Sequence, residues 1–365
     1  MKSRCNARNV AIFLSFCFAI VLVASWTKMS DGTWNVPTND DNPHYRLQIS
    51  DKMALAECQG KLKQTSKMSA ISSAGNGPKE LPEILEPLAN KELKPPGEAS
   101  PEEELERIWN YMYQRQYHCT ESKYLGGQPS GPFKGDGAYD LCVEKQFWPQ
   151  GGDKAKCLVY SFGINNDFSF DDEMAKLGCE VHSFDPSMTL ADNSVTNTGV
   201  IFHKIGISNE DNDSGFNGWK MRTLKTLIKE LGHEDRHLDF LKVDTDRGDG
   251  TGFEDVVMQE LLETGLYKCV RQFSFELHMP GPLTQPRLLN RCRLLYRQMR
   301  ALNDGGWRLY NTTDNVRWYK AQVNQDYTQR SNKNDIVKGG GAVILWESSF
   351  VNFEVTGTCK EVLSR

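Results

Sequence analysis

A chain of 365 residues, 39% apolar and 25% charged, has the composition of an ordinary globular protein and room for one large domain or two small ones. Its net charge of −5 comes without a Lys/Arg stripe beyond the extreme N-terminus, so the composition gives no support to nucleic-acid binding.

Lys2, Arg4 and Arg8 precede an uncharged run from Val10 to Trp26. These seventeen residues span about 25 Å as a helix, against a hydrocarbon core of ~30 Å. The run is expected to be a transmembrane signal anchor suited to the thinner membranes of the early secretory pathway, with residues 1–9 as a cytoplasmic tail. The chain would then be a single-pass type II membrane protein facing the ER/Golgi lumen. A cleaved signal peptide, with Val23 and Ser25 at the cleavage site, would instead make it secreted. Both readings place the body of the chain in an oxidising compartment.

Beyond the tail and the anchor there are eight cysteines: Cys58, Cys119, Cys142, Cys157, Cys179, Cys269, Cys292 and Cys359. An even number suggests disulfides, whose pairing the spacing does not give. No CxxC pair occurs, so no metal site is expected at His118 and Cys119. Asn212 and Asn311 begin N-glycosylation sequons.

Residues 27–99 are polar and broken by proline and glycine, and are expected to form a disordered stalk. Order is predicted from residue 100 to the end. In "SPEEELERIWNYMYQRQ", Ser100 can cap a helix, Pro101 suits its first position and Glu103 completes a capping box. The irregular "YLGGQPSGPFKGDGAYDLC" then leads into the core. Strands and helices alternate after it: "KCLVYSFG", the helix "FSFDDEMAKLG", "CEVHSFDPS", "GVIFHKIGIS", the helix "MRTLKTLIKELG", "LDFLKVDTD", the helix "FEDVVMQELLETG", "RQFSFELHM" and the helix "RLLNRCRLLYRQMRAL". Two last strands, "GGWRLYNTT" and "GGGAVILWESSF", flank a long polar connection with no evident helix. The pattern predicts an α/β fold with a seven-stranded doubly wound sheet whose final strand is reversed.

Ligands of such sheets bind beyond the carboxyl ends of the strands. That selects Ser161 to Asn166, Asp185, Ser208, Asp244 with Asp246, and Glu276 with His278. Asp185 follows Gly163 by 22 residues, a spacing suited to a carboxylate that binds a ribose hydroxyl. The turn "SFGINN" has one glycine where a dinucleotide cradle uses several, which counts against NAD or FAD. S-adenosyl-L-methionine has a ribose and no phosphate, and the turn plus Asp185 can serve it. The bland alternative is a tight turn beside an unoccupied Asp185-Pro186. A competing reading takes Asp244-Thr245-Asp246 as the DxD site of a metal-dependent luminal glycosyltransferase, its carboxylates holding a cation against a sugar nucleotide.

The run "VYSFGINNDFSFDDEMAKLGCEVHSFDPS", with "LKVDTDRGDG" and "FSFELHM", resembles the methyltransferase-like protein 24 group, and more distantly the FkbM-type methyltransferases. The resemblance covers roughly residues 117–353. It implies a class I methyltransferase-like (Rossmann-like) domain and S-adenosyl-L-methionine as cofactor, with no metal. It further implies that Ser161, Phe162 and Gly163 line the methionine end, that Asp185 binds the ribose, and that Asp244 lies near the transferred methyl. Ser208 is a further candidate on the cofactor side. Asp244, Asp246 and His278 are the candidates for taking the acceptor's proton. Asp246-Arg247 stands where FkbM-type members have Glu-Gly, and Arg247 is either an anion holder or a loop cation. The acceptor is not legible, and a binding domain that has lost turnover is the third alternative.

Overall fold

The computed structural model describes residues 27–28, 34–35, 97–127, 136–149, 157–315, 333–338 and 343–364. The predicted anchor and tail, Cys58 and most of the predicted stalk lie outside them. Within the N-terminal unit, Thr27–Lys28 pairs antiparallel with Trp34–Asn35. Among the described residues no helix is long and apolar enough to cross a membrane.

The domain begins with helix α1, Pro101–Tyr113. Its start is capped as its residues dictate: the Ser100 hydroxyl accepts from the Glu103 N–H at 3.3 Å, and the Glu103 carboxylate accepts from the Ser100 N–H at 2.9 Å. The central sheet has seven strands: β1 (Leu158–Phe162), β2 (Glu180–Phe184), β3 (Ile201–His203), β4 (Leu238–Val243), β5 (Val270–Pro280), β6 (Trp307–Asp314) and β7 (Val343–Asn352). Their spatial order is β6-β7-β5-β4-β1-β2-β3. All neighbours are parallel except β7, which runs antiparallel to both β5 and β6. This is the doubly wound sheet with a reversed last strand that the alternation predicts.

Helices α2 (Ser169–Lys176), α3 (Leu224–Glu230), α4 (Glu254–Thr264) and α5 (Pro286–Asp304) connect the strands. Strand alternation divides β1 between two cores. Leu158, Tyr160 and Phe162 join the apolar faces of α1, α3, α4 and α5. Cys157 and Val159 face the other way, with Phe170 and Met174 of α2 and with Leu125, Tyr139 and Leu141. The last three belong to a hairpin in which Ser122–Leu125 pairs with Tyr139–Cys142, so the irregular segment before β1 folds onto the sheet.

Two features differ from expectation. The predicted third strand divides: Ile201–His203 joins the sheet, while Gly206–Ile207 turns off to pair with Met221–Arg222. The connection between β6 and β7 carries a short helix α6, Lys333–Lys338, whose carbonyls at Ile336 and Val337 accept from Leu283 and Thr284. Ile336 and Val337 are its buried apolar pair, too brief a pattern to stand out in a polar run. A final helix α7 spans Cys359–Leu363.

Among the described residues three disulfides close the domain. Cys119–Cys142 ties the segment after α1 to the hairpin, Cys157–Cys179 joins the starts of β1 and β2, and Cys269–Cys359 ties the start of β5 to α7. Cys292 is free and buried.

Candidate active site

Strand register decides what meets at the carboxyl edge of the sheet. Phe162 pairs with both Phe184 and Val243, and Val243 pairs with Phe275. The next residue on each strand is therefore Asp185, Gly163, Asp244 and Glu276, in a row across β2, β1, β4 and β5. Glu276 faces Glu347 across the antiparallel pair with β7, which extends the row by one more carboxylate. A cavity of about 580 Å³ opens over this row, within the range of small-molecule sites.

The β1–β2 side of the cavity is built on one turn. Gly163 has φ +80°, and an added Cβ would lie 1.5 Å from the carbonyl oxygen of Asp244. Only glycine fits there. Asn165 and Asn166 follow at φ 44° and 65°, so two asparagines adopt the left-handed conformations for which a dinucleotide loop uses glycines. The N–H groups of Ile164 and Asn165 both donate to Asp185 Oδ2, at 3.0 and 2.9 Å. Asp185 Oδ1 accepts from the N–H and the hydroxyl of Ser187, at 2.8 and 2.6 Å. All four acceptor positions of this buried carboxylate are thereby engaged by its own loops. Phe162, Phe184, Ile207, Trp219 and Met221 give this half of the cavity its apolar walls.

The β4–β7 side is charged. Lys242 is buried, donates to the Gly163 carbonyl at 3.0 Å and lies 3.4 Å from Asp244 Oδ2. Burial opposes its charge, yet Asp244, Asp171 and Glu347 hold its pKa above the ordinary lysine value. His278 Nε2 sits 3.1 Å from both Asp246 Oδ1 and Glu276 Oε2, and its Nδ1 lies 3.1 Å from the Glu276 carbonyl. Against the effect of burial, Glu276, Asp246 and Glu254 raise the His278 pKa well above its usual range. Glu254 itself is held at about 2 despite burial, by Arg291 and His278. Burial first, then Asp244, pushes Glu276 up to about 7. Glu347 is likewise raised well above the ordinary carboxyl value, by burial and then by Glu276 and Asp244.

The cavity thus brings together Phe162, Gly163, Ile164, Asn165, Asp185, Asp244, Asp246, Glu276 and His278 of the residues singled out in the sequence. Ser161 and Ser208 do not border it. Ser161 is buried on the α2 face of β1, beside Lys242 and Ser183, because alternation turns it away from the side of Phe162. Ser208 falls beyond the Gly206–Ile207 ladder, where its N–H donates to the Arg222 carbonyl and its hydroxyl to Asn209. Asp244 and Asp246 have different partners: one is tied to Lys242, and the other is largely exposed and tied to His278. Arg247 lies 4.2 Å over the Phe253 ring and 3.1 Å from Asp255, held in its loop.

Sequence reasoning passed over Asp136, Asn315, Glu254, Arg291 and Glu347. The strand that carries Glu276 and His278, by contrast, did signal a buried polar face. Strands buried on both faces read as continuous apolar runs, whereas "RQFSFELHMP" alternates Gln272, Ser274, Glu276 and His278 with Phe273, Phe275, Leu277 and Met279. The apolar set enters the main core, and the buried polar set lies on the face covered by the hairpin. Asp136 and Asn315 carry no such signal, since loops bring them in.

A family model described as a methyltransferase domain matches residues 88–316. Proteins named "Probable methyltransferase-like protein 24" are similar to this chain. The one from Rattus norvegicus is 27% identical over 220 residues, 58% of each chain. The one from Homo sapiens is 27% identical over 191 residues, 50% of this chain and 49% of that protein. The chain thus spans about half the length of the curated relatives it matches. A crystal structure described as a "putative sarcosine dimethylglycine methyltransferase from Galdieria sulphuraria" is 11% identical, over 55% of this chain and 79% of that one, at a TM-score of 0.27. A likeness at that level carries no argument.

Proposed function

The chain belongs to this family of methyltransferase domains, and we propose that it transfers a methyl group from S-adenosyl-L-methionine to an oxygen or nitrogen acceptor. One observation carries the choice of cofactor. The turn after β1 directs the N–H groups of Ile164 and Asn165 into Asp185, where a pyrophosphate cradle would leave them free for phosphate oxygens. The donor set fits a ligand with a ribose and no phosphate. Phe162, Gly163, Asp185 and Ser187 would hold it, a ribose hydroxyl taking the place of the Ser187 hydroxyl on Asp185 Oδ1, against the apolar wall of Ile207, Trp219 and Met221.

Bound there, the cofactor supplies an electrophilic methyl on a sulfonium. The chain contributes position and charge. Lys242 fixes Gly163 and Asp244 relative to one another, which holds the cofactor turn against the acceptor side. Both ring nitrogens of His278 already face acceptors, so it orients Glu276 and Asp246 and does not itself receive the acceptor's proton. Asp244 lines the cavity with a single cationic partner, and we assign it that proton.

The test is calorimetric titration of the purified protein with S-adenosylhomocysteine and, separately, NADH. S-adenosylhomocysteine alone is expected to bind, and Gly163→Ala is expected to lose it at least tenfold while near-UV circular dichroism is retained. Binding of NADH, or of neither, would overturn the reading.

The lumenal orientation is proposed from the apolar run Val10 to Trp26 and is supported by the three disulfides. Asn212 is exposed, whereas the side-chain amide of Asn311 donates to Asp140 and to Thr313. Glycosidase treatment of protein from secretory cells is expected to shift its mobility, and Asn212→Gln to remove that shift; protein that never carries a glycan would count against the lumen.

A further inference from the structure

Cofactor binding leaves one feature of the cavity without a purpose. Asp136, Glu276 and Glu347 each present a carboxylate oxygen, and the three oxygens lie within 4.8 Å of one another. Glu276 and Glu347 are directly opposed across β5 and β7, and each is 5% exposed. Like charges in directly opposed positions destabilise a sheet, and a buried carboxylate without a partner is costly.

Among the described residues little nearby offsets this for the opposed pair. Lys242 is engaged by Asp244 and the Gly163 carbonyl. His278 is shared between Glu276 and Asp246. The Asn315 amide nitrogen donates to Asp136 at 2.8 Å and to Glu276 at 2.6 Å, which draws those two carboxylates together. Glu347 receives only a long contact of 3.4 Å from the Gly137 N–H on Oε1. Its Oε2 is buried with no partner in good hydrogen-bonding geometry, and the hydroxyl of Tyr139, its neighbouring donor, is in the same position. The hairpin that brings Asp136 and Tyr139 to the sheet therefore closes over an acidic group with an acceptor left unused.

We propose that Asp136, Glu276 and Glu347 bind an oxygen-preferring divalent cation of the Mg²⁺ or Mn²⁺ class. The three ligands are all carboxylates, with no thiolate or ring nitrogen among them, which selects a hard cation over zinc or copper. A charge of +2 offsets the opposed pair, and Glu347 Oε2 gains the partner it lacks. Asp136 and Glu276 border the cavity that Asp244 also lines, so a cation held by them would be reached from that space. If the methyltransferase reading holds, this deepens it: the acceptor would be an oxygen donor able to enter the coordination sphere, a hydroxyl-bearing compound in preference to an amine.

The experiment uses the purified full chain, stripped with EDTA and then titrated with Mn²⁺ while free Mn²⁺ is followed by electron paramagnetic resonance. One site with Kd below about 100 µM is expected, weakened at least tenfold in Glu347→Gln and in Asp136→Asn. Mn²⁺ is expected to raise the melting temperature of the parent and not of Glu347→Gln. In EDTA the Gln variant is expected to melt at or above the parent, because the second acidic group opposing Glu276 is gone. Absence of a saturable site up to millimolar Mn²⁺ would overturn the proposal, as would a site that both variants leave intact. The same samples titrated with S-adenosylhomocysteine keep the two readings apart. Cofactor binding without Mn²⁺ binding sinks the cation alone, and Mn²⁺ binding without cofactor binding sinks the methyltransferase reading alone.

Discussion

Glu180, His182 and His233 approach one another as closely as Asp136, Glu276 and Glu347 do, and both groups are built on the same sheet. Their surroundings differ. His182 Nε2 and His233 Nε2 each lie 3.2 Å from Glu180 Oε1. The remaining nitrogen of His182 meets His203 Nε2 at 2.8 Å, and that of His233 meets the Tyr160 hydroxyl at 2.7 Å. Arg236 takes the other oxygen of Glu180 at 2.7 Å. Every ring nitrogen of His182 and His233 has a partner, and the cluster is complete as a clamp between β2 and the turn before β4. The carboxylate cluster has the same closeness, the same sign throughout and an orphaned oxygen. Spacing does not separate structure from site in this molecule; unmet hydrogen-bonding capacity does.

The strongest way to break the contrast is to remove the Lys242 ammonium from among the carboxylates. Lys242→Met leaves Asp244 and the Gly163 carbonyl without their donor, and is expected to cost about 3–5 kcal/mol in urea denaturation. A loss below about 1 kcal/mol would mean that the carboxylates are not held as charged groups by Lys242.

Acid comes next and acts on the histidine cluster. Burial above all lowers His182 to about 4, and also lowers His203 and His233. An unfolded histidine titrates near ~6.5. Between those values the unfolded chain binds a proton that the native state refuses, so stability is present above pH ~6.5 and falls as pH drops toward 4. The loss expected across that window is on the order of 1–3 kcal/mol, and His182→Gln should flatten it. Urea midpoints at five pH values would reveal this; a flat profile in the parent would contradict it.

The finest comparison uses two buried phenols, one at each cluster. Tyr160→Phe removes the donor to His233 Nδ1 and is expected to cost about 1–2 kcal/mol. Tyr139→Phe removes a hydroxyl that no partner meets in good hydrogen-bonding geometry and is expected to change stability by less than about 0.5 kcal/mol in EDTA. Equal effects would erase the distinction between the clusters.

Local chemistry made much of the fold legible. The capping box of α1, the glycines that end α2 and α4, and the apolar strands at "CLVYSF" and "LDFLKV" all act through neighbours a few residues away. The one-glycine turn was legible in part: "SFGINN" shows where the chain turns, and its asparagines tolerate left-handed backbone for reasons internal to the residue. Ser161 and Ser208 were assigned from position near a strand end, and both were turned from the cavity by features that position does not encode, alternation in one case and a diverted chain in the other.

By itself the sequence determined the order of the sheet strands and of the helices between β1 and β6, the turn after β1 and the carboxylates that stand at strand ends, because propensity, capping and periodicity are properties of adjacent residues. Only the tertiary structure decided that Asp136, Asn315 and Glu347 join Glu276 over the cavity, that three disulfides close the domain, and that Asp185 draws the turn's N–H groups to itself. Those outcomes depend on strand register and on which loop folds over which edge. Both are settled by burying apolar surface between residues as far apart in sequence as Asp136 and Glu347, a distance over which no local pattern carries information.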